Sequence, residues 1–217
     1  NRAALRDSLS EVCERHLRAA GGDHAARHVT IDVDSFPIPV YGQQPGGAYN
    51  GYYRETVYHP LVASYSVAGD YDGAMHGRRQ GSGFLHAILR QGQVHTAQRV
   101  KRFLQQVVPM ARRLGHVLDF RIDAGYTDGA TLDFLTDEGL RFVGRLKSNA
   151  VLEQLAAPHL SRPVGRPPKG GYEDVIEPGM YQAASWKHPQ RLLLVGCGRR
   201  VGSVYAAIVD GFSLGGT

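Results

Sequence analysis

Hydrophobic and polar residues alternate strictly along positions 28–35, written HVTIDVDS. The apolar residues stand at odd positions, as Val29, Ile31 and Val33. Because side chains of an extended chain alternate between two faces, Asp32 and Asp34 fall together on the opposite face. The pattern predicts a strand that buries one face and presents two carboxylates on the other. The prolines that follow predict where this strand ends.

Patterns of the same kind predict the other elements of the chain. β-branched and aromatic runs predict strands over 55–67, 84–90, 116–123 and 140–147. Apolar residues at helical spacing predict helices over 3–19, 96–114 and 127–138. After the first helix, the order along the chain is three strands, a helix, a strand, a helix and a strand. This order is typical of an α/β fold in which an antiparallel meander is extended by parallel strands into a mixed sheet.

The two internal helices have clear start and stop signals. Thr96 is the cap candidate of the longer helix, and Gly115 follows its last turn. Its buried stripe is predicted to be Val100, Phe103, Leu104, Val107, Met110, Ala111 and Leu114. Pro109 predicts a kink within it. The shorter helix is expected to begin at a cap formed by Thr127 or Asp128 and to end at Gly139.

The composition changes along the chain and suggests four regions. Residues 1–27 read as a helical tail of an upstream region, and 28–160 as the α/β core. The segment 161–171, SRPVGRPPKGG, reads as a basic Pro/Gly linker. Residues 172–217 read as the start of a β-rich insertion. Because the chain starts at Asn1 and ends in loop-like residues, it is expected to be a piece of a longer protein.

Charge and cysteine content narrow the function classes. The net charge is +5, and positive residues are segregated. Between positions 78 and 121, nine cations face one acid, Asp119; between 141 and 169, six cations face Glu153. Segregated cations fit contacts to phosphate backbones, although solvated helix faces explain each cluster equally well. Two distant cysteines, Cys13 and Cys197, match no zinc spacing and favour a reducing compartment. No apolar run has membrane-spanning length.

Two acids at predicted strand ends are candidates for chemistry. Asp34 lies near the end of the first strand, and Asp123 ends the fourth. Strands of a mixed sheet can bring two such carboxylates together, and a hard cation such as Mg²⁺ then relieves their repulsion. A pair of such ions can drive in-line phosphoryl displacement. The alternative is that Asp34 belongs to an Asx turn and Asp123 to a helix cap region.

Several motifs in order resemble the DDE transposases of bacterial insertion sequences. They are TIDVDSFPIPVYGQQPGGAYNGYYRETVYHPLVAS, LRQGQVHTA, RIDAGY, FVGRLKSNAVLEQLA and RPVGRPP with YQAASW. The matches span roughly residues 28 to 195. The subgroup most similar is the thirteen-eighty type, with a more distant relation to the transposon-five enzyme. The resemblance implies an RNase H-like core and DNA strand cleavage and transfer with Mg²⁺ or Mn²⁺.

The resemblance also implies roles for individual residues. Asp34, followed by Ser35, matches the first catalytic and metal-binding Asp, although Phe36 stands where Thr is common, and Asp32 is the reserve candidate. Asp123 matches the second. The third acid of the family, a Glu on a late helix, has no match. Four acids of the β-rich stretch do not qualify for that place: Glu173, Asp174, Glu177 and Asp210. The chain alone is therefore expected to be inactive.

The expected partner is double-stranded DNA, as transposon ends and target. Candidates for DNA contact are Arg121, Arg145, Lys147 and Arg166. Arg166 lies in VGRPPK, which resembles the core of an AT-hook, although a plain linker is the alternative. A homodimer in the full-length protein, a bacterial cytoplasmic, nucleoid-associated location and no membrane contact are also expected. Two rival functions remain: an RNase H-like nuclease without joining activity, and a decayed transposase that only binds DNA.

Overall fold

Residues 2–19, 27–68, 79–159, 172–198 and 204–210 are described by the structure, a computed structural model. The chain divides into two compact units, Asn1–Arg121 and Ile122–Thr217. The predicted linker, with Arg166, lies outside the described residues. No helix within the described ranges is both long and apolar enough to cross a membrane.

Both units combine strands and helices. The helices are α1 (Arg2–Ala19), α2 (Val100–Arg112), α3 (Gly129–Asp137) and α4 (Ala150–Ala156), the last continued by a 3₁₀ turn over Ala157–His159. The strands of the first unit are β1 (His28–Ser35), β2 (Ile38–Pro39), β3 (Ala48–Asn50), β4 (Glu55–Tyr58), β5 (Leu61–Ala68), β6 (Arg79–Ile88) and β7 (Val117–Ile122), whose last residue opens the second unit. The later strands are β8 (Arg141–Arg145), β9 (Tyr172–Tyr181), β10 (Gln190–Gly198) and β11 (Val204–Asp210).

The main sheet of the first unit has the order β6-β5-β1-β7. Strands β1, β5 and β6 form an antiparallel meander. Strand β7 runs parallel to β1: Val117, at its start, donates its N–H to the carbonyl of Arg27, and Arg121, near its end, binds Asp32. The predicted mixed α/β sheet is therefore confirmed, with the first and fourth predicted strands side by side.

The apolar stripe of α2 is buried as predicted. All seven residues of the predicted stripe lie in the core, and the helix packs on β5 and β6. Full burial of one such side chain contributes about 1.5–3 kcal/mol. The start of the helix differs from the prediction, because α2 begins at Val100 after Arg99, whose left-handed φ of 69° marks the N-cap, and not at Thr96. The helix continues through Pro109 to Arg112.

The order of elements along the chain differs from the prediction because of two features. The predicted strand 55–67 is split into β4 and β5 at His59 and Pro60. There, His59 donates its N–H to the carbonyl of Arg90, outside any ladder, and Pro60 has no N–H to donate. The predicted loop between β1 and β4 also holds two short strands, which form a separate small sheet, β2-β4-β3. Strand β6 begins earlier than the predicted 84–90, as the edge strand beside β5.

In the second unit, the strands have the order β8-β11-β10-β9. Strands β9 to β11 are antiparallel, and β11 pairs antiparallel with β8. The β-rich stretch predicted after 172 therefore continues the strand order from β8 and does not form a sheet of its own. Helix α3 is capped by Asp128, one of the two predicted caps, and Gly139 follows it with a positive φ of 65°. Helix α4, capped by Asn149, was not predicted from the pattern.

Candidate active site

The two acids of β1 share one face of the strand but not one environment. Val29, Ile31 and Val33 are buried on the opposite face, as the alternation predicts. Asp34 is exposed, one residue before the end of β1, and its Oδ1 accepts the N–H of Ser35 at 2.7 Å. Asp32, two residues earlier, is partly buried. Of the two acids, Asp34 is therefore the more exposed, and it lies at the strand end.

Asp32 is held by a bidentate ion pair with Arg121 of the neighbouring strand β7. The Nε of Arg121 donates to Oδ1 of Asp32 at 2.5 Å, and an Nη donates to Oδ2 at 2.6 Å. The hydrogen bonds to Asp32 raise the pKa of Arg121 above its ordinary value, against the opposite effect of burial. Both carboxylate oxygens of Asp32 therefore accept hydrogen bonds from the guanidinium of Arg121 in this conformation.

A buried histidine contacts the last residue of β1. His59 is 3% exposed, and its Nε2 lies 3.0 Å from Oγ of Ser35. Its Nδ1 lies 3.4 Å from the carbonyl oxygen of Val94, which can only accept, so Nδ1 carries the proton. Burial is the main cause that lowers the pKa of His59 below its usual range; the nearby Arg90 also lowers this pKa, whereas the hydrogen bond to Val94 and the charge of Asp34 act in the opposite direction. Nε2 of the neutral ring then accepts a hydrogen bond from the hydroxyl of Ser35.

Arg90 stabilises the loop that contains Val94, whose carbonyl contacts His59. It is 4% exposed, and its Nε donates to the carbonyl of His59 at 2.8 Å. One Nη donates to the carbonyls of Thr96 and Gln98, at 2.9 and 3.0 Å. Thr96 therefore does not cap the helix as predicted. It lies in a turn whose backbone carbonyls accept hydrogen bonds from Arg90. This loop fixes Val94, hence His59 and Ser35, and the end of β1.

In the second unit, Asp123 is exposed at the first position of a tight turn that follows β7. Its carbonyl accepts the N–H of Tyr126 at 2.9 Å, and the Tyr126 side chain is 1% exposed. The hydroxyl of Thr127 donates to the carbonyl of Arg145, at the end of β8, at 3.1 Å. The buried tyrosine and this bond anchor the turn, so its backbone position is fixed while the Asp123 side chain faces solvent.

The candidates for DNA contact have different surroundings. Arg121 is engaged with Asp32. Arg145 is exposed at the end of β8, and Lys147 is exposed two residues later. Arg166 and its VGRPPK motif lie outside the described residues. Within the first unit, Arg99, Lys101 and Arg102 are also exposed, at the start of α2.

The sequence did not indicate the partners of the two strand acids. The pair of Arg121 with Asp32 joins residues 89 positions apart, and the His59–Ser35 contact joins residues 24 apart. His59 is buried, and nothing in the sequence pattern linked it to Ser35.

The donor set at these positions is made of carboxylate oxygens, which Mg²⁺ and Mn²⁺ prefer. Asp34 and Asp123 each present an exposed carboxylate of this kind at a backbone that its neighbours fix. Across the parts of the chain that the structure describes, no group of three or more His, Cys, Asp and Glu side chains is close enough to hold a metal.

Comparisons with known proteins give a family match and similarity to solved structures. The family model described as transposase DDE domain group 1 matches residues 5–209. Among solved structures, the chain is similar to a cryo-EM structure of the piggyBac transposase synaptic complex with hairpin DNA, at 15% sequence identity and a TM-score of 0.44. The match covers 84% of this chain and 32% of that chain, so the chain spans about a third of its length. No curated protein matches the chain.

Proposed function

Because the chain belongs to the group 1 family of DDE transposases, we propose that it forms part of the core that cuts and joins DNA strands in a transposase. The family match over residues 5–209 carries this proposal. The assignment to bacterial insertion-sequence enzymes of the thirteen-eighty type, with an RNase H-like core, is a further part of the proposal and rests on the ordered motifs.

Asp34 is proposed as the first metal-binding and catalytic acid, in preference to Asp32. A ligand must offer a carboxylate oxygen that no cation already holds. Asp34 is exposed and accepts the N–H of Ser35, whereas both oxygens of Asp32 accept from Arg121. Asp32 then has a different role, which is to hold the Arg121 guanidinium in one orientation.

Asp123 is proposed as the second acid. Its place in RIDAGY matches the second acid of the family, and its carboxylate is exposed at a turn that Tyr126 and Thr127 anchor.

The residues of the chain have distinct tasks in this proposal. When bound by the two carboxylates, Mg²⁺ or Mn²⁺ would offset the negative charge that develops in an in-line phosphoryl displacement. Ser35 and His59 fix the backbone that carries Asp34. Arg145, Lys147 and Arg166 would contact DNA phosphates, with Arg121 held ready by Asp32. Transposon-end and target DNA as substrates, a homodimer, and a cytoplasmic, nucleoid-associated location complete the proposal.

The test uses the natural gene product that contains this chain, on a supercoiled plasmid that carries its gene with flanking DNA. In Mg²⁺ or Mn²⁺, we expect nicking and joined products. Asp34→Asn and Asp123→Asn should each lower nicking about a hundredfold or more, since a catalytic metal contributes several kcal/mol and about 1.4 kcal/mol is tenfold. Asp7→Asn and Glu138→Gln, which change exposed acids of the two units, are matched controls.

A second measurement does not depend on activity. Mg²⁺ that binds the folded protein should raise its free energy of unfolding by about 1.4 kcal/mol at ten times the Kd. This gain should persist in Asp32→Asn and vanish in Asp34→Asn. Cleavage without joining would support a simple nuclease, and DNA binding without Mg²⁺-dependent nicking would support a decayed transposase. The chain of 217 residues alone is expected to bind DNA without cutting it.

A further inference from the structure

The small sheet β2-β4-β3 and its loops expose an unusual number of large side chains. Five exposed large hydrophobic residues lie between positions 36 and 52, and three of them are tyrosines. Tyr41, Tyr49 and Tyr52 are 84%, 63% and 87% exposed. We call these three rings, together with the cleft described below, the tyrosine surface. Scattered single apolar residues are normal on a surface, whereas a short segment that exposes several large ones is a candidate interaction site.

The strand register shows which face of the small sheet carries this surface. Ala48 pairs with Val57, whose side chain is fully buried, so these two residues face the core. Tyr49 pairs with Thr56, and both are exposed. Because paired residues share a face and successive residues alternate, Tyr49 and Thr56 lie together on the outward face.

A cleft of about 440 Å³ lies on this outward face. It is lined by Gly42, Gln43, Gln44, Pro45, Gly47 and Thr56. Its loop is fixed, because the hydroxyl of Tyr58 donates to the carbonyl of Pro45 at 2.8 Å and the N–H of Gly47 donates to that of Gln44 at 3.0 Å. Two amide side chains and one hydroxyl therefore border a cleft of the size of a small-molecule site.

Tyr52 is presented by an ordered turn. Oδ1 of Asn50 accepts the N–H groups of Tyr52 and Tyr53, at 3.0 and 3.4 Å. The amide of Asn50 donates to the carbonyl of Gly92 at 2.6 Å, which ties the turn to the neighbouring loop. The ring of Tyr53 packs edge-on against that of Tyr52 at 5.0 Å. The exposed ring is thus preorganised, which lowers the entropy cost of binding.

The charge of this region indicates the kind of ligand. Residues 36–58 contain one cation, Arg54, and one anion, Glu55. A neutral surface does not attract phosphate groups, but aromatic rings stack on nucleobases, and amides hydrogen-bond to base edges. Duplex DNA hides its base faces, so the bases that fit are unpaired ones.

We propose that the tyrosine surface binds unpaired bases of the DNA strand beside the cleavage site. The inference rests on the proposed function for its assumption that DNA is the substrate. Ring contacts link this surface to the end of β1, because Tyr52 packs on Tyr53, the ring of Tyr53 lies 5.9 Å from that of His59, and His59 contacts Ser35, the residue after Asp34. Bases released from the duplex at the cut would stack there and hold the strand near Asp34.

The test measures binding in the absence of divalent ions, so it does not depend on cleavage. The probe is a single-stranded oligonucleotide containing 2-aminopurine, whose fluorescence is quenched by stacking; the same sequence as a blunt duplex is the comparison. We expect the Kd for the single strand to rise roughly tenfold for each ring removed in Tyr49→Leu and Tyr52→Leu. Tyr49→Phe and Tyr52→Phe should bind as the wild type does, and Phe84→Leu, another exposed ring of this unit, is the control.

The outcomes separate this inference from the proposed function. Unchanged single-strand binding in the Leu variants, or an equal loss on duplex and single strand, would overturn the inference. So would a shift from dimer to monomer in the Leu variants with binding intact, because the surface would then join two copies. Asp34→Asn should keep the stacking signal, so a failure of Mg²⁺-dependent nicking alone contradicts only the proposed function.

Discussion

Asp32 and Asp34 show how much the alternation of side chains along a strand can predict for single residues. The alternation places both acids on one face of β1, and the structure confirms it. The alternation says nothing about the strand beside them. Asp32 differs from Asp34 because β7 brings Arg121 opposite it, from a position 89 residues away. The choice between two acids on one strand therefore depended on tertiary pairing, which the pattern of a single strand does not contain.

At the same scale, His59 should make stability depend on pH. Because burial lowers its pKa in the folded state, the unfolded chain, with a histidine pKa of about 6.5, binds the proton first. The contribution of the neutral ring to stability is complete above about pH 6.5 and is lost as the pH falls below that value. The slope can reach about 1.4 kcal/mol per pH unit.

The measurement is the free energy of unfolding in urea at about pH 7.5 and about pH 5.5, for the wild type and His59→Gln. The variant is expected to be less stable at the higher pH, where Ser35 loses part of its partner, and to change less between the two. His95→Gln, at an exposed histidine of the same unit, is the control. Equal pH dependence in the wild type and His59→Gln would contradict the prediction.

At the scale of elements, periodic segments were predicted well and their junctions were not. The buried stripe of α2 and the cap of α3 follow from local spacing. The break between β4 and β5 does not, because the run from 55 to 67 is rich in β-branched and aromatic residues on both sides of Pro60. The break falls at Pro60, which has no N–H, and at His59, whose N–H and carbonyl both bind Arg90, 31 positions away.

A substitution at Gly92 tests how closely the loop after β6 packs against the small sheet. A Cβ at this position would lie 2.1 Å from the carbonyl oxygen of Val57 and 2.3 Å from that of Ala48, on two different strands. Backbone atoms cannot turn aside as a side chain can. We expect Gly92→Ala to lower the free energy of unfolding by about 1–3 kcal/mol, as in other overpacked sites.

Urea unfolding of Gly92→Ala beside Gly51→Ala checks this prediction. A Cβ at Gly51 would have no atom within 4 Å, so this control is expected to change stability by less than about 0.5 kcal/mol. If both variants were equally stable, the close approach of the loop to the two strands would be wrong.

At the scale of the whole molecule, fewer of the segregated cations are available to bind a ligand than the sequence suggested. Of the nine cations between positions 78 and 121, Arg90 is buried against backbone carbonyls, Arg113 pairs with Glu14 at 3.2 Å, and Arg121 pairs with Asp32. A count of charges cannot separate such structural cations from those that face solvent. The cations at the start of α2, which include Lys101 and Arg102, are exposed and form the positive face that we propose for DNA contact.

The positive face at the start of α2 and the neutral tyrosine surface predict two modes of DNA binding, which differ in how strongly their affinity depends on salt concentration. Each phosphate contact on duplex DNA contributes about 0.9 to the slope of log K against log salt. If Lys101 and Arg102 each contact one phosphate, replacing both by Gln should reduce that slope for a non-specific duplex by about 1.8. Arg15→Gln with Arg18→Gln removes the same charge from α1, where Glu11 and Glu14 pair with these arginines.

Fluorescence anisotropy of labelled duplex over a series of salt concentrations gives both slopes. The α1 pair is expected to leave the slope almost unchanged, because its guanidinium groups already have carboxylate partners on the same helix. Equal reductions in both double variants would mean that net charge alone drives binding and that α2 offers no specific contact face. Stacking on the neutral tyrosine surface should hardly respond to salt, so single-strand binding that falls as steeply as duplex binding would assign the bases to the positive face instead.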